Sequence, residues 1–385
     1  MPRVKPFYNG FEQGPIRPPS EAASLLLRVT RNCPWNRCTF CPVYKGADFS
    51  LRPVDHVLRD IDTVATQLQA LQQQLEVNGQ VTYRDLDRLA IALDSGEQMA
   101  LYAAYAWLQE GMQSVFLQDA NSLVIRPDDL VRILEHLRDC FPSVERVTSY
   151  ARSQTIDRIK PLDLQRIAAA GLNRIHIGLE SGSDEVLQRV QKGTDQAMQI
   201  RAGQKVKAVG MELSEYVMPG LGGRGLSAVH AEQTAAALNL INPDFIRLRT
   251  LALPSQTRLY EQWQDGQFIK MNDHEVAREI LQFLDALEGI SSRVQSDHIL
   301  NLFQEIEGQL PHDKLKMMAV INDFLQLPAA EQMLYQVGRR LGVFSRVSDL
   351  DVPEMRQQSV AACRQYGITM ENVDTRIDEL MKRFI

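Results

Sequence analysis

The run Ser24-Leu25-Leu26-Leu27-Arg28-Val29-Thr30-Arg31-Asn32-Cys33-Pro34-Trp35-Asn36-Arg37-Cys38-Thr39-Phe40-Cys41-Pro42 joins a short apolar segment to three of the chain's five cysteines. Leu25, Leu26, Leu27 and Val29 make residues 24–30 a short apolar run, which reads as a buried strand. The thiols follow at once in the spacing Cys-x4-Cys-x2-Cys. Structural zinc sites and ferredoxin-type clusters normally take four protein ligands. Three thiolates on one short loop suit a [4Fe–4S] cube held at three corners, with one iron open to a ligand that is not protein. A zinc reading, with a distant histidine such as His56 as fourth ligand, lacks the paired Cys-x2-4-Cys spacing and a second Cys or His pair. Cys140 and Cys363 stand far off in sequence. Cys140 ends a predicted helix and is expected in the core; Cys363 falls inside a helical stretch and is expected to be structural.

Outward from this stretch the pattern repeats. Val57, Ile61, Val64, Leu68, Leu71 and Leu75 recur at helical spacing. A looser helical region runs on to Leu108 and stops at Glu110-Gly111. Strands are then expected at 114–118, 144–149, 174–179, 211–217 and 244–251. Helices are expected between them at 127–140, 162–170, from the end of the fourth strand to about 209, at 227–240 and at 273–287. With the strand before Cys33 this makes six βα units. Repeated βα units imply parallel strands with helices outside, as a barrel or an open doubly wound sheet. In both, sites form outside the carboxyl ends of strands, where the cysteine loop lies. From about residue 291 strand signals cease and helical periodicity takes over, at 314–325, 331–341, 354–366 and 370–384. The expected division is an extended segment 1–23, an α/β core 24–290 and a helical cap 291–385.

Composition bounds the function. A chain of 385 residues with 44% hydrophobic residues can bury a full core. A net charge of −6 and a pI near 5.7 argue against a general grip on a phosphate backbone, so nucleic acid is not an expected partner. There is no run of about 18 uncharged apolar residues, so no transmembrane helix and no membrane partner are expected. The first residues have no apolar signal-peptide core. Clustered thiols without an export signal point to a reducing cytoplasm and metal ligation.

With these features in place, the cysteine run resembles that of the radical S-adenosylmethionine (radical SAM) superfamily. The resemblance implies an α/β fold, a partial parallel (β/α)6 barrel with a C-terminal helical extension. It implies a [4Fe–4S] cluster on Cys33, Cys38 and Cys41, and Phe40 packed near the SAM adenine. The chain departs from the common Cys-x3-Cys-x2-Cys spacing by one residue. A second motif, His176-Ile177-Gly178-Leu179-Glu180-Ser181-Gly182-Ser183, resembles the Gly-Leu-Glu-Ser-Gly segment of a subgroup that includes methylthiotransferases and coproporphyrinogen-dehydrogenase-like enzymes. Glu180 at a strand end can accept hydrogen bonds from a ribose diol or an ammonium group, with Ser181 beside it. Ser183 is placed to cap the next helix. After the second strand, Asp119 and Asn121 occupy the place where the family holds the SAM methionine amine, without its usual glycines.

Other candidates are single residues. Arg152 ends the third strand and can pair with the SAM carboxylate. Tyr216 and the loop Met218-Pro219-Gly220 end the fifth. Arg247 and Arg249 alternate on the sixth and share a face, candidates for an anionic substrate or the SAM carboxylate. Ser296-Asp297-His298 with Asn301 opens the tail; a His beside Asp is more often a structural pair, yet His298 is the best substrate-side candidate there. Tyr216 and His298 are the catalytic candidates. The resemblance implies that SAM chelates the open iron and is cleaved to a 5′-deoxyadenosyl radical, which takes hydrogen from a small-molecule or peptide substrate. It further implies an electron donor such as flavodoxin or ferredoxin, and oxidoreductase or lyase chemistry. The alternatives are a non-catalytic cluster or haem carrier and a zinc-bound scaffold.

Overall fold

The structure, a computed structural model, describes residues 7–381. Two compact units divide it: residues 7–36, 43–176 and 205–212 form the first, and residues 37–42, 177–204 and 213–381 the second.

In the first unit, β1 (Leu25–Arg28), β2 (Ser114–Gln118) and β3 (Arg146–Ala151) lie side by side, followed by the start of β4 (Arg174–Glu180). β1 and β2 run parallel with Leu26 opposite Phe116, and β2 and β3 run parallel with Phe116 opposite Thr148. Leu27, Phe116, Leu117 and Val147 are fully buried. That is why their segments lack a polar alternation: parallel strands are covered on both faces. β1 ends at Arg28, and Thr30–Arg31 pairs antiparallel with Ser50–Leu51 across the cysteine stretch.

Helices α1 (Val54–Asn78), α2 (Tyr83–Ala90) and α3 (Ser95–Gln109) fill the long connection between β1 and β2. α1 buries Val57, Ile61, Val64, Leu68 and Leu71, the predicted stripe, whereas Leu75 is exposed. The looser region resolves into α2 and α3 because each opens with a capping box, Thr82 with Asp85 and Asp94 with Glu97. α4 (Pro127–Cys140), α5 (Ser153–Arg158) and α6 (Pro161–Ala169) complete the connections. Pro127 sits at the first helical position with Asp128 and Asp129 in the first turn, where the helix dipole favours them.

In the second unit, the end of β4 is followed by α7 (Asp184–Arg189) and α8 (Gln196–Ala208), whose last residues belong to the first unit. β5 (Glu212–Val217) and β6 (Phe245–Leu248) pair in parallel, with Tyr216 opposite Arg247. α9 (Gly223–Ile241) packs along α11 (Asp273–Ala286), with α10 (Arg258–Gln264) before it. Two strands then appear that the sequence pattern does not predict. β7 (Arg293–Gln295) adds to β6 in parallel, and β8 (Gly308–Gln309) pairs with β7 antiparallel. They are three and two residues long, and Arg293 and Gln309 are exposed, so no apolar run announces them. The tail is therefore not helical from residue 291, and it lies in the same compact unit as β5 and β6.

α12 (Lys314–Gln326), α13 (Ala329–Arg340), α14 (Pro353–Gln365) and α15 (Val373–Met381) follow. Their core is an aromatic cluster: Tyr335 lies 6.2 Å from Phe303, 5.6 Å from Phe324 and 6.1 Å from Phe344, centroid to centroid. Arg340 is 3% exposed and donates to Asp273 at 2.8 Å, which ties α13 to α11. The expected α/β class with mostly parallel strands is what the structure shows. Among the described residues no helix is long and apolar enough to cross a membrane.

Candidate functional site

In the first unit, the residues around the cysteine stretch converge on Asp119, directly after β2. Its carboxylate accepts from Arg28 Nε at 2.8 Å, from the Tyr44 hydroxyl at 2.9 Å and from the Asn32 backbone N–H at 3.1 Å. Arg28 also donates to the Asn32 side chain at 3.3 Å, and Asn32 holds a left-handed φ of 66°. Asn36, also left-handed, donates to the Tyr44 carbonyl at 2.6 Å, and its N–H reaches Cys33 Sγ at 3.4 Å. The N-terminal segment crosses this point closely. Gly14 donates to Gln118 at 2.8 Å, and a Cβ at Gly14 would stand 2.2 Å from Asp119 Oδ1. Burial of the Tyr44 hydroxyl, with the Asp119 charge beside it, pushes its pKa far up, so it stays a donor.

Asn121 is equally engaged. It accepts from the Arg152 N–H at 3.1 Å and donates to Thr155 at 2.8 Å, which binds the end of β2 to the start of α5. The Arg152 guanidinium lies 5.0 Å over the Trp35 ring. The structure thus brings Asp119, Asn121 and Arg152 to the carboxyl ends of β2 and β3. It shows Asp119 and Asn121 as anchors of the protein's own backbone.

In the second unit, residues 38–41 are pinned by backbone bonds, Thr39 N to Val190 O and Leu259 N to Thr39 O, both 3.0 Å. Cys38 and Phe40 are buried. Lys192 Nζ stands 5.9 Å over the Phe40 ring and donates to Glu180 at 2.9 Å. Glu180 has a left-handed φ of 62°, so the backbone turns there as β4 ends. A Cβ on Gly178 would meet Glu180 Oε1 at 2.3 Å and Lys192 Nζ at 3.0 Å, so a side chain there would make the ion pair shift.

Ser181 takes a different part from its neighbour. It is fully buried, bonds His230 Nδ1 at 2.8 Å and accepts from the Ser183 N–H at 3.0 Å. Ser183 stands at the N-cap of α7 without a side-chain cap bond, contrary to expectation; its own N–H is committed to Ser181.

Glu215 on β5 escaped the sequence reading. It is 1% exposed, and its Oε2 has no hydrogen-bond partner. Burial pushes its carboxyl pKa well up, the Glu180 charge pushes it further and Lys192 opposes both, so the enclosure favours the neutral acid. Its place between Ser214 and Tyr216 in a buried strand is the signal that was available, an acid where parallel strands tolerate few.

Arg249 lies 4.7 Å over the buried Tyr216 ring. Burial and the Arg249 charge together lower His298 to a pKa of about 4, so it is neutral at pH 7. Its Nδ1 accepts from Leu300 N at 3.4 Å. Asp297 pairs with Arg247 at 2.6 Å and not with His298, and Arg247 also donates to Ser214 at 3.1 Å. Asn301 accepts from Thr250 N and donates to the Leu248 carbonyl, each at 2.8 Å, which fixes the end of β6. The Gly220 loop is likewise tied down, its N–H donating to Glu279 at 2.6 Å.

The donor chemistry fits a [4Fe–4S] cluster. Cys33, Cys38 and Cys41 are thiols outside any disulfide, on nine consecutive residues. The two remaining thiols sit on other elements, Cys363 buried on α14 and Cys140 at the end of α4. Cys140 is only half-buried, which corrects its expected place in the core.

The sequence model of the Radical SAM superfamily matches residues 27–232. Two curated relatives are tRNA uridine(34) acetyltransferases, from Methanocaldococcus infernus (22% identical) and Methanocaldococcus jannaschii (24%), each over 302 residues. Each match covers 74% of this chain, and the chain spans about half the length of the curated relatives it matches, 53% and 52%. Among solved structures, coproporphyrinogen III oxidase from Escherichia coli is 14% identical with a TM-score of 0.45, over 68% of this chain and 52% of that one. An Elp3 from Methanocaldococcus infernus is 16% identical with a TM-score of 0.41, over 52% and 53%.

Proposed function

This chain belongs to the radical SAM superfamily, and on that premise we propose an enzyme in which Cys33, Cys38 and Cys41 hold a [4Fe–4S] cluster and the remaining iron takes SAM. The observation that carries the reading is the set of three thiols directly after β1, within the segment that matches the family. Bound together, the two groups supply hydrogen-atom abstraction chemistry through one-electron cleavage of SAM.

The chain's own residues have the following parts in this proposal. Phe40 offers an apolar ring to the adenine. Glu180, held by Lys192, accepts from the ribose hydroxyls or the amine. Glu215 adds a buried carboxyl group whose raised pKa favours its protonated form. Asp119 and Asn121 shape the loop and the strand ends, and Arg152 and Arg249 offer guanidinium groups to carboxylates. Tyr216 and His298 are the substrate-side candidates; with Nδ1 accepting from Leu300, neutral His298 carries its proton on Nε2.

The substrate we propose is a small molecule or peptide bearing an anionic group for Arg249. A net charge of −6 supports this over a polyanion. The two archaeal relatives favour a second reading, a tRNA uridine. Isotope transfer separates them. The protein is incubated anaerobically with SAM, reductant and either a uniformly deuterated small-molecule extract or deuterated tRNA. Deuterium entering 5′-deoxyadenosine from the extract alone supports the first reading; transfer from tRNA alone overturns it.

A further inference from the structure

We propose that Asp62, His136 and Cys140 form a zinc site on the first unit, separate from the cysteine stretch that follows β1. His136 and Cys140 are four residues apart on α4, one turn apart on one face, and Asp62 meets them from α1. His136 Nε2 lies 2.7 Å from Asp62 Oδ1 and 3.7 Å from Cys140 Sγ, and Cys140 Sγ lies 4.0 Å from Asp62 Oδ1. In a tetrahedral zinc site the same ligand types stand about 3.3–3.6 Å apart, given metal–ligand distances near 2.0–2.3 Å. Two of the three separations are already close to that range. The third, 2.7 Å, is the hydrogen-bond contact of the imidazole with the carboxylate, which a metal between them would replace.

A nitrogen, a thiolate and a carboxylate are all zinc donors, whereas calcium and magnesium take oxygen ligands. The site has an entry path: the His136 and Asp62 side chains are 31% and 58% exposed, so water can complete the fourth position. Occupied, it clamps α1 to α4, the helices that follow the cysteine stretch and β2. Cys140 enters as thiolate, its proton passing to solvent, and the Asp62 and Cys140 charges balance the ion.

Zinc alone is the probe. The full-length protein with its iron–sulfur cluster reconstituted is titrated anaerobically with Zn²⁺ against a fluorescent chelator. One zinc per chain beyond the iron is expected, with protection of Cys140 from alkylation. His136→Ala, Asp62→Ala and Cys140→Ser are each expected to weaken binding at least about 100-fold, above the range for second-shell changes. Circular dichroism checks that each variant is folded, and the alkylation readout on the unaltered protein stands if one is not. No zinc beyond the iron, or variants that bind it as tightly as the unaltered protein, overturns the proposal.

Discussion

Asp119→Ala tests how the cysteine stretch is held. The Asp119 carboxylate is fully buried and pairs with Arg28, whose side chain is 13% exposed, at 2.7 Å. Removing one partner of a buried pair costs about 3–5 kcal/mol, because the other charge stays buried without compensation. The Tyr44 hydroxyl and the Asn32 N–H lose the same acceptor, at roughly 1 kcal/mol or more each. These costs overlap, since one group serves all three donors, and the exposed fraction of Arg28 recovers some hydration. The expected loss is about 4 kcal/mol, a large share of an ordinary stability of about 5–15 kcal/mol. Asp119→Asn keeps an acceptor but not the charge, and about 2 kcal/mol is expected from it. Adding Arg28→Met to Asp119→Ala is expected to restore part of the loss, since no charge is then stranded. Urea unfolding of the cluster-free chain at pH 7, followed by far-UV circular dichroism, reads these differences. A loss below about 1 kcal/mol, together with a marked fall in SAM affinity, would refute the anchoring role and return Asp119 to the amine-binding place that the family resemblance gives it.

Three further outcomes follow from the second unit. Lys192→Met leaves Glu180 without its 2.9 Å partner and is expected to weaken SAM binding roughly 10-fold or more, since a displaced charge-assisted contact is worth about 1.5–3 kcal/mol; equilibrium dialysis with labelled SAM measures it. His298 has a folded-state pKa of about 4, below its unfolded value, so the unfolded state binds its proton first as pH falls. Stability is expected to drop by roughly 3 kcal/mol from pH 7 to pH 4 on this account, and His298→Gln to remove that part of the slope in urea titrations; an unchanged slope in the variant contradicts the burial argument. Glu215 has the opposite sign. Its raised pKa makes stability fall as pH rises through it, so Glu215→Gln is expected to raise the unfolding midpoint at pH 8 and to matter little at pH 4.

What the sequence revealed followed from periodicity and local chemistry. The strands buried on both faces, Leu25–Arg28 and Ser114–Gln118 among them, and the α1 stripe were legible because each writes its burial into consecutive or helically spaced apolar residues. β7 and β8 were not, since two- and three-residue strands with exposed ends leave no pattern. At the candidate site, Glu180 was legible from its place at a strand end. The ion pair with Lys192, twelve residues on, depends on how the chain returns after α7. Glu215 was missed because an acid among apolar residues reads as an outward-facing position, whereas this one is enclosed. Asp297 was read beside His298, but a parallel strand brought Arg247 closer.

The most direct measurement is 5′-deoxyadenosine formation by the anaerobically reconstituted protein with SAM and dithionite, beside Cys33→Ala, Cys38→Ala and Cys41→Ala. With the cluster on these three thiols, the unaltered protein forms 5′-deoxyadenosine and each variant forms none above background. Equal product from the unaltered protein and the variants, or none from any of them at full iron content, contradicts the central claim.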